Sequence, residues 1–120
     1  MADRLEVYID KNDIIHQIFE GFLVEDDALK LEKETERLVA ILKNPSKVRI
    51  FVDSTKERKV ELKARKILMA NLKRDNVYKL AVWGAHPFTH GIVNLFRIAA
   101  KISKIRSFKD RDEAYRWLLE

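Results

Sequence analysis

The stretch VRIFVD, residues 48–53, decides the fold class of this chain of 120 residues. β-Branched and aromatic side chains fill most of its positions, and turn-forming residues bound it on both sides. Such a run is typical of a strand buried on both faces, as strands of a parallel sheet are. The segment VYKLAVWG, residues 77–84, repeats the pattern. Two such strands with a helix-length segment between them predict an α/β fold with parallel pairing.

The rest of the chain supplies further elements of the same layer. Leu5, Val7 and Ile9 alternate with polar residues, and IIHQIF (14–19) follows a turn, so a hairpin ending before Gly21 is predicted. Helices are predicted over residues 26–43, 56–74 and 89–101 and after Asp110, and a short strand over 105–108. We therefore predict one α/β domain over residues 1–120. Its mixed, mostly parallel sheet should have about five strands with an N-terminal hairpin, covered by about four helices.

Composition excludes several classes of protein. The chain has no cysteine, which rules out disulfides, thiolate nucleophiles, iron–sulfur clusters and cysteine-ligated zinc. No apolar run approaches the roughly 20 residues that span a bilayer. The N-terminal segment carries acidic residues and no apolar core of a secretory signal. These features favour a cytoplasmic protein.

The charge of the chain is unevenly distributed. Residues 1–44 have a net charge of −5 and residues 45–120 a net charge of +10, which together give +5. The segment 56–74 alone holds eight Lys or Arg and two Glu. On the predicted helix Lys56, Lys59, Lys63 and Lys66 would form a basic face. Such a face could attract nucleic acid or an anionic membrane surface, or be an ordinary solvated surface.

Two loops follow the predicted parallel strands and precede helices, the place where α/β folds tend to bind ligands. One contains Asp53, Ser54 and Thr55; the other contains His86 and Thr89. These five residues are the candidate positions for ligand binding or modification. Free amides at the helix starts could hold an anionic group, although no glycine-rich phosphate loop is present. Thr89 is predicted to cap the third helix, and Asp53 to bond loop amides or to cap the helix that follows it.

The two histidines in GAHPFTHG, residues 84–91, have the i, i+4 spacing that can bind a metal on a helix. Pro87 separates them, and no Asp, Glu or Cys lies nearby to provide a third ligand. A triad of Asp53, Ser54 and His86 would lack a nucleophile elbow and an oxyanion hole. We therefore expect no metal, no cofactor, no catalytic residue and no enzyme activity. The aromatic residues Phe51, Trp83 and Phe88 could line an apolar cleft or pack in a core.

Several of these segments resemble the STAS domain (sulphate transporter and anti-sigma-factor antagonist), and more closely its SpoIIAA-like branch, also called STAS/SEC14-like. The resemblance is carried by FEG after the hairpin, VRIFVDST, YKLAVWG and the closing segment IRSFKDRDEAYRWLL. Antagonists of this family carry a phosphorylatable serine at the start of the helix after the aspartate strand. Here that region reads DSTKERKVELKAR, so the pattern departs from the family at that point.

The resemblance implies a non-catalytic binding or regulatory module that interacts with a protein partner. A carrier of a small anionic or lipid-like ligand, bound at the strand-end loops, is the alternative. A third hypothesis is nucleic-acid or membrane-surface binding through the basic helix 56–74. The first helix also leaves a homodimer open.

Overall fold

Six strands form one mixed sheet in the computed structural model, which describes residues 2–99 and 103–120. The elements are β1 (Ala2–Ile9), β2 (Ile15–Leu23), α1 (Glu25–Val39), β3 (Val48–Asp53), β4 (Glu57–Val60), α2 (Leu62–Leu72), β5 (Val77–Trp83), α3 (Pro87–Ala99), β6 (Ile105–Phe108) and α4 (Arg111–Leu119). The strands pair in the order β1-β2-β3-β5-β6, and β4 pairs with the C-terminal end of β2. The β1–β2 pair is antiparallel, and the other pairs in the described residues are parallel. The predicted α/β class with its N-terminal hairpin is confirmed.

The sheet separates two apolar layers. Along β3 successive side chains point to opposite faces, so Ile50 and Val52 enter one layer and Phe51 enters the other. The first layer contains Leu31 and Leu38 of α1 and meets Leu68 of α2. The second layer is closed by α4 and contains Phe51, Ala81, Phe108, Ala114 and Leu118, with Trp83 and Trp117 against it. Phe51 and Trp83 therefore pack in a core and do not line a cleft; the side chain of Phe88 lies outside the described residues.

Strand β4 is the main departure from the predicted fold. The segment 56–74 was expected to be one helix, but Glu57–Val60 is a strand and the helix begins at Leu62. β3 pairs with β2 only over Ile15–Ile18, which leaves the last part of β2 without a neighbour on that side. β4 supplies the missing backbone partners: Gly21 N donates to Lys56 O at 2.8 Å, and Glu61 N to Leu23 O at 2.8 Å. Satisfying buried main-chain groups outweighs the helix propensity of Glu-Arg-Lys.

Gly21 lies inside a strand, although a break was predicted there. The strand β2 continues to Leu23, and Gly21 adopts φ of +87° where the register with β1 shifts between Ala2 and Arg4. A β-carbon on this glycine would lie 2.6 Å from Asp3 Oδ2. Glycine therefore accommodates an irregularity in the hairpin, because only glycine enters this φ region without steric cost.

The helix boundaries also differ from the predicted ones. α1 ends at Val39, short of the expected residue 43, and Asp27 stabilises its start by accepting the Val24 amide at 2.9 Å. α3 begins at Pro87, before Thr89, so Thr89 is not its cap. The predicted end of this helix at Lys101 falls outside the described residues. Within residues 2–99 and 103–120, no helix is long and apolar enough to span a bilayer.

Candidate functional site, a cavity with a polar end

The loops that follow β3 and β5 lie against each other at the carboxyl ends of the parallel strands. Ser54 N donates to Trp83 O at 3.0 Å, which joins the two loops through the backbone. Gly84, with φ of +73°, comes so close to Thr55 that an added β-carbon would lie 2.4 Å from Thr55 Cγ2. The five candidate residues taken from the sequence are thus gathered at one end of the sheet.

A cavity of about 470 Å³ opens beside these loops and extends along the sheet. Its walls come from the sheet and from helices α1, α2 and α3, and most of its lining is apolar. Representative wall residues are Val48, Ile50, Leu68, Leu80 and Ile92. Ligand pockets commonly measure about 300–1,000 Å³ and combine apolar walls with a few polar groups. The cavity falls within that range.

One end of the cavity is polar and is formed by Ser54, Glu57 and Thr89, with the exposed His86 beside them. Thr89 Oγ1 donates a hydrogen bond to Glu57 Oε1 at 3.1 Å, which joins α3 to β4. Ser54 is 1% exposed, and its hydroxyl has no hydrogen-bond partner of ordinary geometry. We refer to Ser54, Glu57 and Thr89 as the polar end. A buried hydroxyl without a partner is uncommon and calls for a structural reason.

Glu57 is the ionisable group of the polar end. Burial raises the pKa of its carboxyl, while the hydroxyls of Ser54 and Thr89 and the charge of His86 act in the opposite direction. The effect of burial is the larger one, because the ionised carboxylate loses solvation at the cavity wall. Glu57 therefore titrates closer to neutrality than an ordinary glutamate.

The other end of the cavity is bounded by a group of charged residues. Arg74 lies just beyond α2, and its Nη2 is 2.5 Å from both Glu32 Oε1 and Glu36 Oε1 of α1. Asn71 and Asn76 line the cavity at this end as well. The two ends therefore differ: one holds a network of ion pairs, and the other a buried hydroxyl beside a partly buried carboxyl.

The structure gives each predicted site residue a distinct setting. Asp53 Oδ1 accepts hydrogen bonds from Thr55 N at 3.0 Å and Thr55 Oγ1 at 2.7 Å, as expected of a residue that bonds loop amides. Thr55 is exposed, Ser54 is buried, and Thr89 contacts Glu57. Ser54 and Thr89 face the cavity together with His86.

The prediction of a basic helical face over residues 56–74 is wrong. Lys56 lies in a turn, Lys59 on β4, and only Lys63 and Lys66 on α2, so the four lysines share no helix. Lys59 Nζ lies 5.6 Å from the centre of the Phe22 ring, and Lys63 Nζ is 4.0 Å from Glu25 Oε2. The face fails because β4 interrupts the segment.

The two histidines have separate surroundings. His90 Nδ1 lies 2.6 Å from Ser107 Oγ of β6, whereas His86 is exposed at the polar end of the cavity. Among the residues that the structure describes, no group of three His, Cys, Asp or Glu is arranged to hold a metal ion. The i, i+4 spacing therefore serves helix α3, where His90 N donates to His86 O at 2.9 Å.

The sequence did not single out Glu57. Its position in a segment expected to be a solvated helix gave it no special status, and its burial follows from the strand that forms there. The only available signal was its place three residues after Ser54, within the departure from the family pattern.

A second polar cluster lies on the opposite face of the sheet, beside α4. Asp10 Oδ2 accepts a hydrogen bond from Tyr115 Oη at 2.5 Å and lies 2.7 Å from His16 Nε2. The His16 ring stacks between Tyr8 and Phe51, with centroid distances of 4.6 and 5.3 Å. Burial alone would raise the pKa of Asp10, but hydrogen bonds from Tyr115, His16 and two backbone amides outweigh it and lower the pKa. This cluster fixes the hairpin to α4.

Comparison with solved structures identifies the class of fold. The arrangement is the SpoIIAA-like α/β fold, which confirms the predicted resemblance at the level of fold. An uncharacterised protein of the DUF3478 family from Shewanella loihica, with a SpoIIAA-like fold, superimposes with a TM-score of 0.72 at 17% identity, covering 98% of this chain and 95% of that one. The anti-sigma factor antagonist SpoIIAA in its unphosphorylated form gives a TM-score of 0.71 at 4% identity, covering 97% of each chain. No family model and no curated protein matches the sequence.

Proposed function

We propose that this protein is a binding module for a small, largely apolar ligand, which it carries in the cavity beside the strand-end loops. This is the lipid-like form of the carrier hypothesis drawn from the sequence. We propose that the protein acts as a single domain in the cytoplasm. Binding of this kind needs no catalytic residue and no cofactor. The observation that carries the proposal is the cavity of about 470 Å³ with mostly apolar walls.

The size of the cavity argues for an occupant. Protein cores are packed as densely as organic crystals, and few internal spaces exceed the size of a water molecule. An apolar cavity of about 150 Å³ is enough to bind benzene. A cavity of 470 Å³ is therefore roughly three times as large as one that binds benzene. Burying an apolar molecule there would gain about 25 cal/mol for each Å² removed from water.

The direct test is binding of an environment-sensitive apolar dye, together with native mass spectrometry of freshly purified protein. We expect saturable dye fluorescence with one site for each chain, and a co-purified molecule that is lost after extraction with organic solvent. Fluorescence that rises linearly without saturation, together with an apo mass after gentle purification, would contradict the proposal.

The second candidate is the regulatory module that binds a protein partner. The similar structure of SpoIIAA belongs to an anti-sigma factor antagonist, and the fold is thus compatible with regulation. Leu95 and Ile98 of α3 are 66% and 76% exposed, which gives a partner or a second copy of this chain an apolar contact. Pull-down from the native host with wild type and a Leu95→Ser/Ile98→Ser variant tests this candidate. The same partners with both proteins would rule out this face.

Modification of a hydroxyl belongs to the same candidate. Thr55 is exposed, whereas Ser54 is buried, so a kinase would reach Thr55 more readily. Nucleic-acid or membrane-surface binding through a basic helix 56–74 has no structural basis, because that helical face does not form.

A further inference from the structure

We propose that the ligand carries a head group that donates hydrogen bonds, a hydroxyl or an amine, and that this group binds at the polar end of the cavity. The inference rests on the proposed function and adds the chemical class of the ligand to it. It also excludes the anionic ligands that the sequence left open. Three features of the polar end lead to this conclusion.

The first feature is the hydroxyl of Ser54. It is buried at the cavity wall and lacks a hydrogen-bond partner of ordinary geometry. The Ser54 hydroxyl favours the ionised form of the nearby Glu57 carboxyl, although burial has the larger effect and raises the pKa of Glu57. Ser54 therefore supports Glu57 as a hydrogen-bond acceptor at the cavity wall.

The second feature is the Glu57 carboxylate. One of its oxygens, Oε1, accepts from Thr89 Oγ1, and a carboxylate has acceptor capacity for about four hydrogen bonds in total. Glu57 therefore has acceptor capacity beyond this one hydrogen bond. A carboxylate or phosphate head group would bring a second negative charge to a partly buried site, where like charges repel strongly.

The third feature is the arrangement of two arginines that line the cavity near this end. Arg65 Nε donates to Val60 O at 3.2 Å, which ties its guanidinium to the backbone. Arg58 Nη2 lies 3.3 Å from Asp3 Oδ2 and is largely exposed. Both guanidinium groups therefore have other partners and do not form a preformed anion site. The Glu57 carboxylate is the group that disfavours an anionic head group.

The experiment compares four amphiphiles with the same decyl chain as competitors of the bound apolar dye, each below its micelle concentration at neutral pH. Decanol and decylamine carry donors; decyltrimethylammonium carries charge without an N–H; decanoate carries an anion. We expect decanol and decylamine to displace the dye at concentrations at least about fivefold lower than the other two, the effect of one net hydrogen bond. Equal displacement by all four, or strongest displacement by decanoate, would overturn the inference while leaving the carrier function intact.

Variants locate the preference. Glu57→Gln and Ser54→Ala should reduce the advantage of decylamine over decyltrimethylammonium to less than about twofold. Glu36→Gln, which alters a carboxylate at the opposite end of the cavity, should keep the full advantage. Loss of the advantage in Glu36→Gln alone would place the head group at the wrong end and overturn the inference. Failure of every amphiphile to displace the dye would contradict the proposed function itself.

Discussion

Gly84 lies so close to Thr55 that a β-carbon added to the glycine would stand 2.4 Å from Thr55 Cγ2 and 3.3 Å from Thr55 Cα. This contact brings the loop after β5 against the loop after β3. The positive φ of Gly84, +73°, allows the approach, because a side chain at this position would be strained as well as crowded. This close approach acts together with the hydrogen bond from Ser54 N to Trp83 O, which joins the same two loops.

Gly84→Ala should therefore destabilise the protein by about 1–3 kcal/mol, through backbone strain and the collision with Thr55. Gly91→Ala is the matched control, since an added β-carbon there meets no atom within 4 Å. In the interior of α3 that change should stabilise by about 0.5–1 kcal/mol. Urea unfolding monitored by circular dichroism measures both. Equal effects of the two substitutions would show that the loop contact has no energetic role.

Filling the cavity should abolish ligand binding without unfolding the protein. Leu68→Trp adds an indole to a residue on the cavity wall, and we expect at least about tenfold weaker dye binding with a cost in stability below the 1–3 kcal/mol typical of overpacked cores. Leu62→Trp places the same side chain on an exposed position of α2 and should bind dye like wild type. Undiminished binding by Leu68→Trp would place the dye elsewhere on the protein.

Glu57 makes the stability dependent on pH. Because burial raises the pKa of its carboxyl, the favourable contribution of the protonated form is complete below the unfolded pKa of about 4.3 and is lost as the pH rises through the folded pKa. The Glu57→Gln variant does not lose stability in this way, because glutamine does not ionise. The free energy of unfolding of the variant minus that of wild type should thus increase between about pH 4 and pH 7. A difference that stays constant or falls over this interval would show that Glu57 is solvated like a surface glutamate.

Asp10 should act with the opposite sign. Its pKa is lowered, so its contribution is present above the unfolded pKa of about 3.9 and is lost as the pH falls through the folded pKa. Asp10→Asn should cost about 1.5–3 kcal/mol near neutral pH, the range for hydrogen bonds to a charged group. The difference in free energy of unfolding between wild type and Asp10→Asn should become smaller below about pH 4. Tyr115→Phe, which removes one donor, should cost less than Asp10→Asn; a larger loss would assign the main role to the tyrosine.

The sequence predicted the strands that have a bounded apolar run or alternating apolar positions, and missed β4, whose residues show no such pattern. Val48–Asp53 and Ile105–Phe108 have the bounds expected from their patterns. Glu57–Val60 contains three charged residues, and its strand exists only because the end of β2 needs main-chain partners. That requirement comes from tertiary structure and leaves no local signal.

The candidate site was also predicted only in part. Ser54, His86 and Thr89 line one cavity because the carboxyl ends of parallel strands lie at one edge of the sheet. The cavity could not be predicted from a sequence motif. It lies between the sheet and helices α1, α2 and α3, and its presence depends on how these elements pack. The role of Glu57 depends on β4 and was hidden with it.

Strand β4 has a consequence for exchange kinetics. It carries Glu57 at the polar end and Val60 on the cavity wall, so a bound molecule would be held by sheet hydrogen bonds, which open by local unfolding. The amides of Gly21 and Glu61, which close the β2–β4 pair, would then report occupancy. The deuterium uptake of these two amides should slow when a ligand occupies the cavity. The rate at which β4 separates from β2 would then set the residence time of the bound ligand.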